Sequence, residues 1–311
     1  MGRADGGGRA APDCPIMRVL LTGASGYLGQ HVLARLRERD IDIVLLGRSH
    51  PARAENLPLI AVDLLECRDL TAALYEARAS HLLHLAWYTK YGKYWNSPLN
   101  LRWVDASLRL LQAFTEQGGR HAVMTGTCAE YEWREDRPFR EDATQLNPAS
   151  LYGAAKDATR RLAEAWCRDQ GVTLAWGHVF FPFGPGESRQ RMLPSLIEVF
   201  RGRSAPFGVN AEAWRGMLPV RDAADALVHL LAQGCKGRYN ICTGQPVQLG
   251  EVVRTLARLC GADPSSVLAL TTARPGDPTM LVGNNQRLLA TGWLPTQTLE
   301  QGLSFQVDSQ R

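Results

Sequence analysis

The 311-residue sequence contains no apolar stretch approaching the ~18 residues a membrane-crossing helix requires, so no part of it is expected to span a bilayer. No run of Lys or Arg stands out and the formal net charge is only +4, which excludes the electrostatic footprint of a nucleic-acid binder. The seven cysteines include no Cys-x-x-Cys pair, and their odd number argues for reduced thiols in a cytoplasm rather than a disulfide framework. No metal site is assigned. Residues 1–15, with Gly6-Gly7-Gly8, carry charge but no apolar signal-peptide core and read as a disordered leader. Beyond them there is no low-complexity tract and no internal repeat.

What is present suits a large buried core, with 45% apolar and 21% charged residues. The apolar run Val19-Leu20-Leu21 leads into Thr22-Gly23-Ala24-Ser25-Gly26-Tyr27-Leu28-Gly29, a strand, a glycine-rich turn and a helix start. Gly23 permits the tight turn, Gly26 lets the backbone approach a pyrophosphate, and Gly29 lets the helix lie close on the strand. The helix N-terminus offers free N–H groups to an anion. An ordinary βα turn is the plainer alternative.

Tyr152 and Lys156 stand four apart and share one helix face. An ammonium one turn from a phenol, aided by an oxidised nicotinamide, favours the phenolate and makes proton exchange with a substrate oxygen feasible near neutral pH. An apolar strand ending in Thr125-Gly126-Thr127 supplies a hydroxyl that could hold that oxygen. Cys128, beside it, is read as a small buried apolar residue.

Strand-like runs at 18–21, 43–46, 59–62, 81–85, 122–125 and 174–179 alternate with helical patterns at 28–39, 70–77, 101–116 and 154–168. Such alternation implies an α/β fold with a doubly wound parallel sheet, Rossmann-like, built from right-handed crossovers. Beyond Phe183 the pattern breaks into pieces punctuated by Gly and Pro, expected to form a smaller C-terminal substrate lobe.

These motifs resemble the extended short-chain dehydrogenase/reductase family, which contains the NAD-dependent epimerases and dehydratases of nucleotide sugars. The resemblance covers most of the chain and includes His84-Leu85-Ala86, Phe183-Gly184-Pro185-Gly186, Tyr239-Asn240-Ile241-Cys242-Thr243-Gly244 and Arg274-Pro275-Gly276-Asp277. It implies a dinucleotide-binding domain from residues 16–180 plus about 219–244, and a substrate lobe from about 181–218 plus 245–311. It also implies a homodimer through a four-helix bundle formed by the helices at 101–116 and 152–168.

For the cofactor, the resemblance implies binding by Gly23, Ser25, Gly26, Tyr27, Leu28 and Gly29 at the turn. Asp63 and Leu64 would meet the adenine, while Leu85, Ala86, Thr125, Tyr152 and Lys156 would lie toward the nicotinamide. The second strand ends in Gly47-Arg48-Ser49 where NAD enzymes usually place a carboxylate for the ribose 2′-hydroxyl. An arginine fork can receive a 2′-phosphate, so Arg48 favours NADP(H) over NAD(H), a solvated surface arginine being the alternative.

For the reaction, family members that dehydrate the sugar carry an acid pair directly after the catalytic threonine, where this chain has Cys128 and Ala129. That leaves hydride transfer at a carbonyl, with Tyr152 as proton donor, Lys156 holding ribose hydroxyls and tuning Tyr152, and Thr127 orienting the oxygen. Arg215 and Arg274 match positions that grip the diphosphate of nucleotide sugars. Phe181 stands where those enzymes often have asparagine, and His178 where arginine is frequent. The aromatic segment 87–95 follows the strand end that should face the nicotinamide, and Tyr88 is its candidate substrate contact.

The expected activity is NADPH-dependent reduction of a nucleotide-linked 4-keto-6-deoxysugar. A nucleotide-sugar C4 epimerase with retained cofactor is the nearest alternative, and a redox-silent dinucleotide-binding sensor the alternative of another class.

Overall fold

A computed structural model describes residues 17–52, 54–133, 137–273 and 276–310; the leader and Arg274 lie outside the described residues. Seven parallel strands form the central sheet: β1 (Arg18–Thr22), β2 (Asp42–Gly47), β3 (Leu59–Ala61), β4 (His81–His84), β5 (His121–Thr127), β6 (Thr173–Val179) and β10 (Gly237–Ile241). Their order across the sheet is β10-β6-β5-β4-β1-β2-β3. The order in which the strands are added reverses between β1 and β4, which leaves a crevice outside the carboxyl ends of those strands, the place where open α/β sheets bind ligands.

Both sheet faces are buried, which explains why the strands read as near-continuous apolar runs. Side chains alternate between faces. Val19 and Leu21 join Ile43, Leu45 and Val123 under α1 (Tyr27–Glu38) and α6 (Val220–Ala232). Leu20, Val44, Leu46, Leu82 and Met124 face the other way, under α2 (Thr71–Ala77), α3 (Leu99–Glu116) and α4 (Leu151–Asp169). This period of two decides which helix each strand residue meets.

The later elements form a separate apolar cluster. Helices α5 (Met192–Phe200), α7 (Leu249–Cys260) and α10 (Leu299–Asp308) pack Leu196, Ile197, Val252, Leu256 and Leu303 together. Short strands stitch this region: β7 (Pro182–Phe183) pairs with β9 (Leu218–Pro219), and β8 (Trp214–Arg215) lies between β11 (Val247–Gln248) and β12 (Met280–Leu281). The short helix α8 (Ser265–Leu268) completes it, while α9 (Gln286–Leu289) returns to the central sheet and packs Leu288 into its core beside β10. Among the described residues no helix is long and apolar enough to cross a membrane.

Candidate active site

The glycine turn is built as the spacing predicts. Gly23 has φ +74°, and a Cβ there would collide with the Leu85–Ala86 backbone at the end of β4. A Cβ on Gly29 would collide with the Gly23 carbonyl, so only glycine lets α1 start this close to β1. Gly26 is the N-cap of α1, with no side-chain cap and no carboxylate in the first turn. The leading N–H groups are therefore available to an anion, and no negative charge opposes it. A dinucleotide fits this cradle. Ser25 is exposed beside it, and the Tyr27 hydroxyl donates to the Gly184 carbonyl at 3.4 Å, tying the turn to the segment just after β7.

The neighbouring strand ends complete the crevice. Leu85 N–H donates to the Thr22 carbonyl and Ala86 N–H to Thr22 Oγ1. Thr22 Oγ1 is also 2.7 Å from His84 Nδ1, whose other ring nitrogen is 2.8 Å from Ser107 Oγ, a buried chain linking β1, β4 and α3. Arg48 is exposed directly after β2. Asp63 accepts the Leu65 N–H at 3.0 Å, and Leu64 is buried beside it.

Tyr152, Lys156 and Thr127 converge because of how α4 begins. Ser150 caps the helix by accepting the Gly153 N–H at 3.1 Å. A Cβ on Gly153 would collide with the Ala129 carbonyl, so the helix start lies directly on the turn that follows β5. Thr127, last in β5, lies beside the Tyr152 phenol and draws its pKa downward. Lys156 Nζ donates to the Thr125 carbonyl at 2.7 Å and lies 3.9 Å from the Trp87 ring centroid.

Burial governs the charges here. It raises the Tyr152 phenol well above its ordinary range, the nearby Tyr94 adds to this, and Thr127 only partly offsets it. Burial brings the Lys156 ammonium down to about 7, with Glu130 pulling it upward. Burial and Tyr94 together keep the proton on the Tyr152 phenol, the form a proton donor needs.

The aromatic segment encloses the site, through residues other than the one singled out. Tyr94, Trp95 and Trp87 stand edge-on to the Tyr152 ring, with centroids at 4.9, 5.8 and 6.5 Å. Tyr88 is half-buried in the same loop, and no ring contact joins it to Tyr152. The buried Asn100 of α3 anchors the loop by accepting from Trp87 Nε1 at 2.9 Å and donating to the Tyr94 carbonyl at 2.7 Å. Nothing in the local pattern distinguishes these rings from Tyr88, since the loop's path decides which of them turn inward.

Arg215 is 7% exposed, and three of its five N–H donors are taken: by the carbonyls of Trp214 and Pro278 and by Asp277 at 2.8 Å. Phe181 has φ +34°, a left-handed conformation that asparagine tolerates better than phenylalanine. Sequence reasoning passed over Glu130, which is fully buried on the core side of the turn after β5 and accepts the Thr127 N–H at 2.8 Å. Its distance of three from Thr127, a capping-box spacing, was the available signal.

The doubly wound sheet, its glycine-rich first turn and the Thr-Tyr-Lys cluster at the carboxyl strand ends are those of a dinucleotide-dependent enzyme. The chain belongs to the NAD dependent epimerase/dehydratase family, whose sequence model matches residues 19–242, and is an enzyme of the extended short-chain dehydrogenase/reductase type. It is 28% identical over 318 residues to a UDP-glucose 4-epimerase of Azospirillum brasilense, covering 92% of this chain and 89% of that protein. It is 26% identical over 304 residues to the GDP-6-deoxy-D-mannose reductase of Pseudomonas aeruginosa, covering 92% and 94%. The solved structure of MoeE5 in complex with UDP-glucuronic acid and NAD superimposes with a TM-score of 0.79 at 26% identity, covering 94% of this chain and 99% of that one.

Proposed function

We propose that this enzyme is an NADPH-dependent ketoreductase acting on a nucleotide-linked 4-keto-6-deoxysugar. One observation carries the reading: a neutral, buried Tyr152 phenol beside the buried Thr127, which is followed by Cys128 and Ala129 where a dehydratase would need an acid. Glu130, the next residue, is turned into the core with Oε1 engaged by the Thr127 N–H and the Trp176 indole, so it does not fill that role. The site then holds a proton donor for a carbonyl oxygen and no group for elimination.

A nicotinamide dinucleotide, when bound, supplies the hydride. The uncapped N-terminus of α1 and the glycine turn would hold its pyrophosphate. Arg48, exposed with no carboxylate beside it in sequence, favours the 2′-phosphate of NADPH. Tyr152 gives its phenolic proton to the substrate oxygen, Thr127 orients that oxygen, and Lys156 keeps positive charge beside the phenolate left behind. Arg215, with donors remaining beyond its protein partners, would take the substrate diphosphate. Exposed Leu101 on α3 and Leu162 on α4 support the homodimer as part of this reading.

The test is incubation with NADPH and a panel of nucleotide-linked 4-keto-6-deoxysugars, following nicotinamide absorbance and product identity. Oxidation of NADPH with a matching alcohol product is expected, and absence of turnover across the panel overturns the reading. The Azospirillum relative favours a second reading, a C4 epimerase that retains its cofactor. Tightly co-purified NAD that does not exchange would decide for it.

A further inference from the structure

Behind the end of β5 lies a closed ionic cluster that the proposed chemistry does not touch. Glu130, with 0% exposure, accepts the Thr127 N–H at 2.8 Å and the Trp176 indole N–H at 3.2 Å through Oε1. Arg160 Nε of α4 lies 3.5 Å from its Oε2, and His178 Nδ1 of β6 lies 3.5 Å from its Oε1. Arg160 continues to Asp157 at 2.6 Å and Glu164 at 2.7 Å. Room for the carboxylate is made by Gly126, where a Cβ would collide with both Glu130 Oε1 and Trp176 Nε1.

A buried carboxylate is costly, and apolar packing of the same volume is often as stable. The position of this one relative to the reacting groups gives it a use. We propose that Glu130 is a positioning residue: it fixes through the Thr127 N–H the strand end that presents the Thr127 hydroxyl to Tyr152, and its buried negative charge is the counter-charge of Lys156.

The charge inventory supports this. Lys156 touches a carbonyl and an aromatic ring, not a carboxylate. Around it stand Glu130, Tyr152 one turn back on α4, and His84 of β4, whose imidazole is held down to about 3 by burial and by Lys156 itself. Around Glu130 stand His178 from β6, Arg160 with Asp157 and Glu164 from α4, and Tyr131 next in the chain, which is itself close to Glu141. Burial alone would raise the Glu130 carboxyl; His178, the Thr127 N–H and Arg160 outweigh it and hold the group ionised. Lys156 Nζ sits on the Thr125 carbonyl and the Glu130 carboxylate on the Thr127 N–H, two residues apart on the same strand end, and Glu130 also meets Arg160, one turn beyond Lys156 on α4; among the described residues its charge opposes the desolvation of Lys156.

The inference rests on the roles given to Thr127, Tyr152 and Lys156, and its test does not need the substrate. The chain has four lysines, Lys90, Lys93, Lys156 and Lys236, so ¹³Cε-lysine labelling gives a countable NMR spectrum in which Lys156→Arg assigns the fourth signal. In Glu130→Gln the Lys156 midpoint should fall by about one pH unit or more while the other three stay in place. Glu130→Asp keeps the charge but withdraws it from the Thr127 N–H; it should hold the midpoint within a few tenths of a unit and lower kcat. With a working ketone, the alkaline limb of kcat in Glu130→Gln should move by the same amount as the NMR midpoint. An unmoved Lys156 midpoint in Glu130→Gln, a midpoint in Glu130→Asp that falls as though the charge were gone, or a rate loss equal at every pH would each overturn the proposal. Should the wild type reduce nothing in the panel, the substrate reading fails and the NMR midpoints still decide the role of Glu130.

Discussion

The Lys156 ammonium lies between the Trp87 indole, 3.9 Å from its ring centroid, and the Thr125 carbonyl at 2.7 Å. A cation over an aromatic face gains about 0.5–2 kcal/mol, more when desolvated. Trp87→Leu should therefore make the ammonium harder to maintain and move the alkaline limb of kcat down by roughly half to one pH unit. A pH–rate profile of the variant checks this; an unmoved limb would show that the indole merely packs.

Tyr152→Phe should leave the fold and cofactor binding nearly intact and lower turnover on the order of 10² to 10⁴. The phenol is buried and neutral, so removing its oxygen deletes a proton donor and strands no charge. Wild-type turnover in this variant would remove Tyr152 from the mechanism. Lys156→Ala should raise the cofactor Kd as well as lower kcat, and isothermal titration separates the two.

Arg48 is exposed after β2 and has no hydrogen-bond or ion-pair partner among the described residues. Arg48→Ala should cost little stability and weaken NADPH more than NADH. A charge-assisted hydrogen bond is worth about 1.5–3 kcal/mol, so the preference should fall roughly ten- to a hundredfold. Equal weakening of both nucleotides would make Arg48 an ordinary surface residue.

Arg215 carries two duties that a single alanine would conflate. Its removal strands Asp277 and two carbonyls, so Arg215→Ala should destabilise the chain by ~1–3 kcal/mol in urea as well as raise KM. Asp277→Asn removes the ion pair and spares the guanidinium. It should keep most of the substrate affinity, and KM in the wild type should rise with salt. A KM unmoved by salt and by Arg215→Ala would sink the diphosphate assignment.

Glu187 carries a pH dependence of stability. Burial raises its carboxyl from 4.5 to about 7 against the pull of Arg191, and its Oε2 is buried without a hydrogen-bond partner. A group with a raised folded pKa contributes stability that is complete below its unfolded pKa and is lost as pH rises through the folded one. Urea unfolding of the wild type should weaken from pH ~5 to ~8, and Glu187→Gln should narrow that difference by about 1–2 kcal/mol. Identical pH profiles for the two proteins would contradict this.

The strands and helices of the sheet were legible because a face buried on both sides leaves apolar runs and a surface helix leaves a 3.6 period, both local properties of the chain. The glycine turn was legible because a positive φ at Gly23 and the contacts of Gly29 with Gly23 arise between near neighbours. Pairing of Tyr152 with Lys156 followed from helix geometry, and the missing acid after Thr127 from reading one residue at a time. Tertiary structure decided the rest. That Trp87, Tyr94 and Trp95 turn onto Tyr152 depends on where Asn100 of α3 anchors their loop. That Arg215 is spoken for by Asp277, 62 residues further on, depends on strand β12 pairing alongside β8. The protonation of the site was the least readable, because solvation sets it: helical spacing puts an ammonium near a phenol, but only burial tells that the phenol is pushed up and the ammonium down.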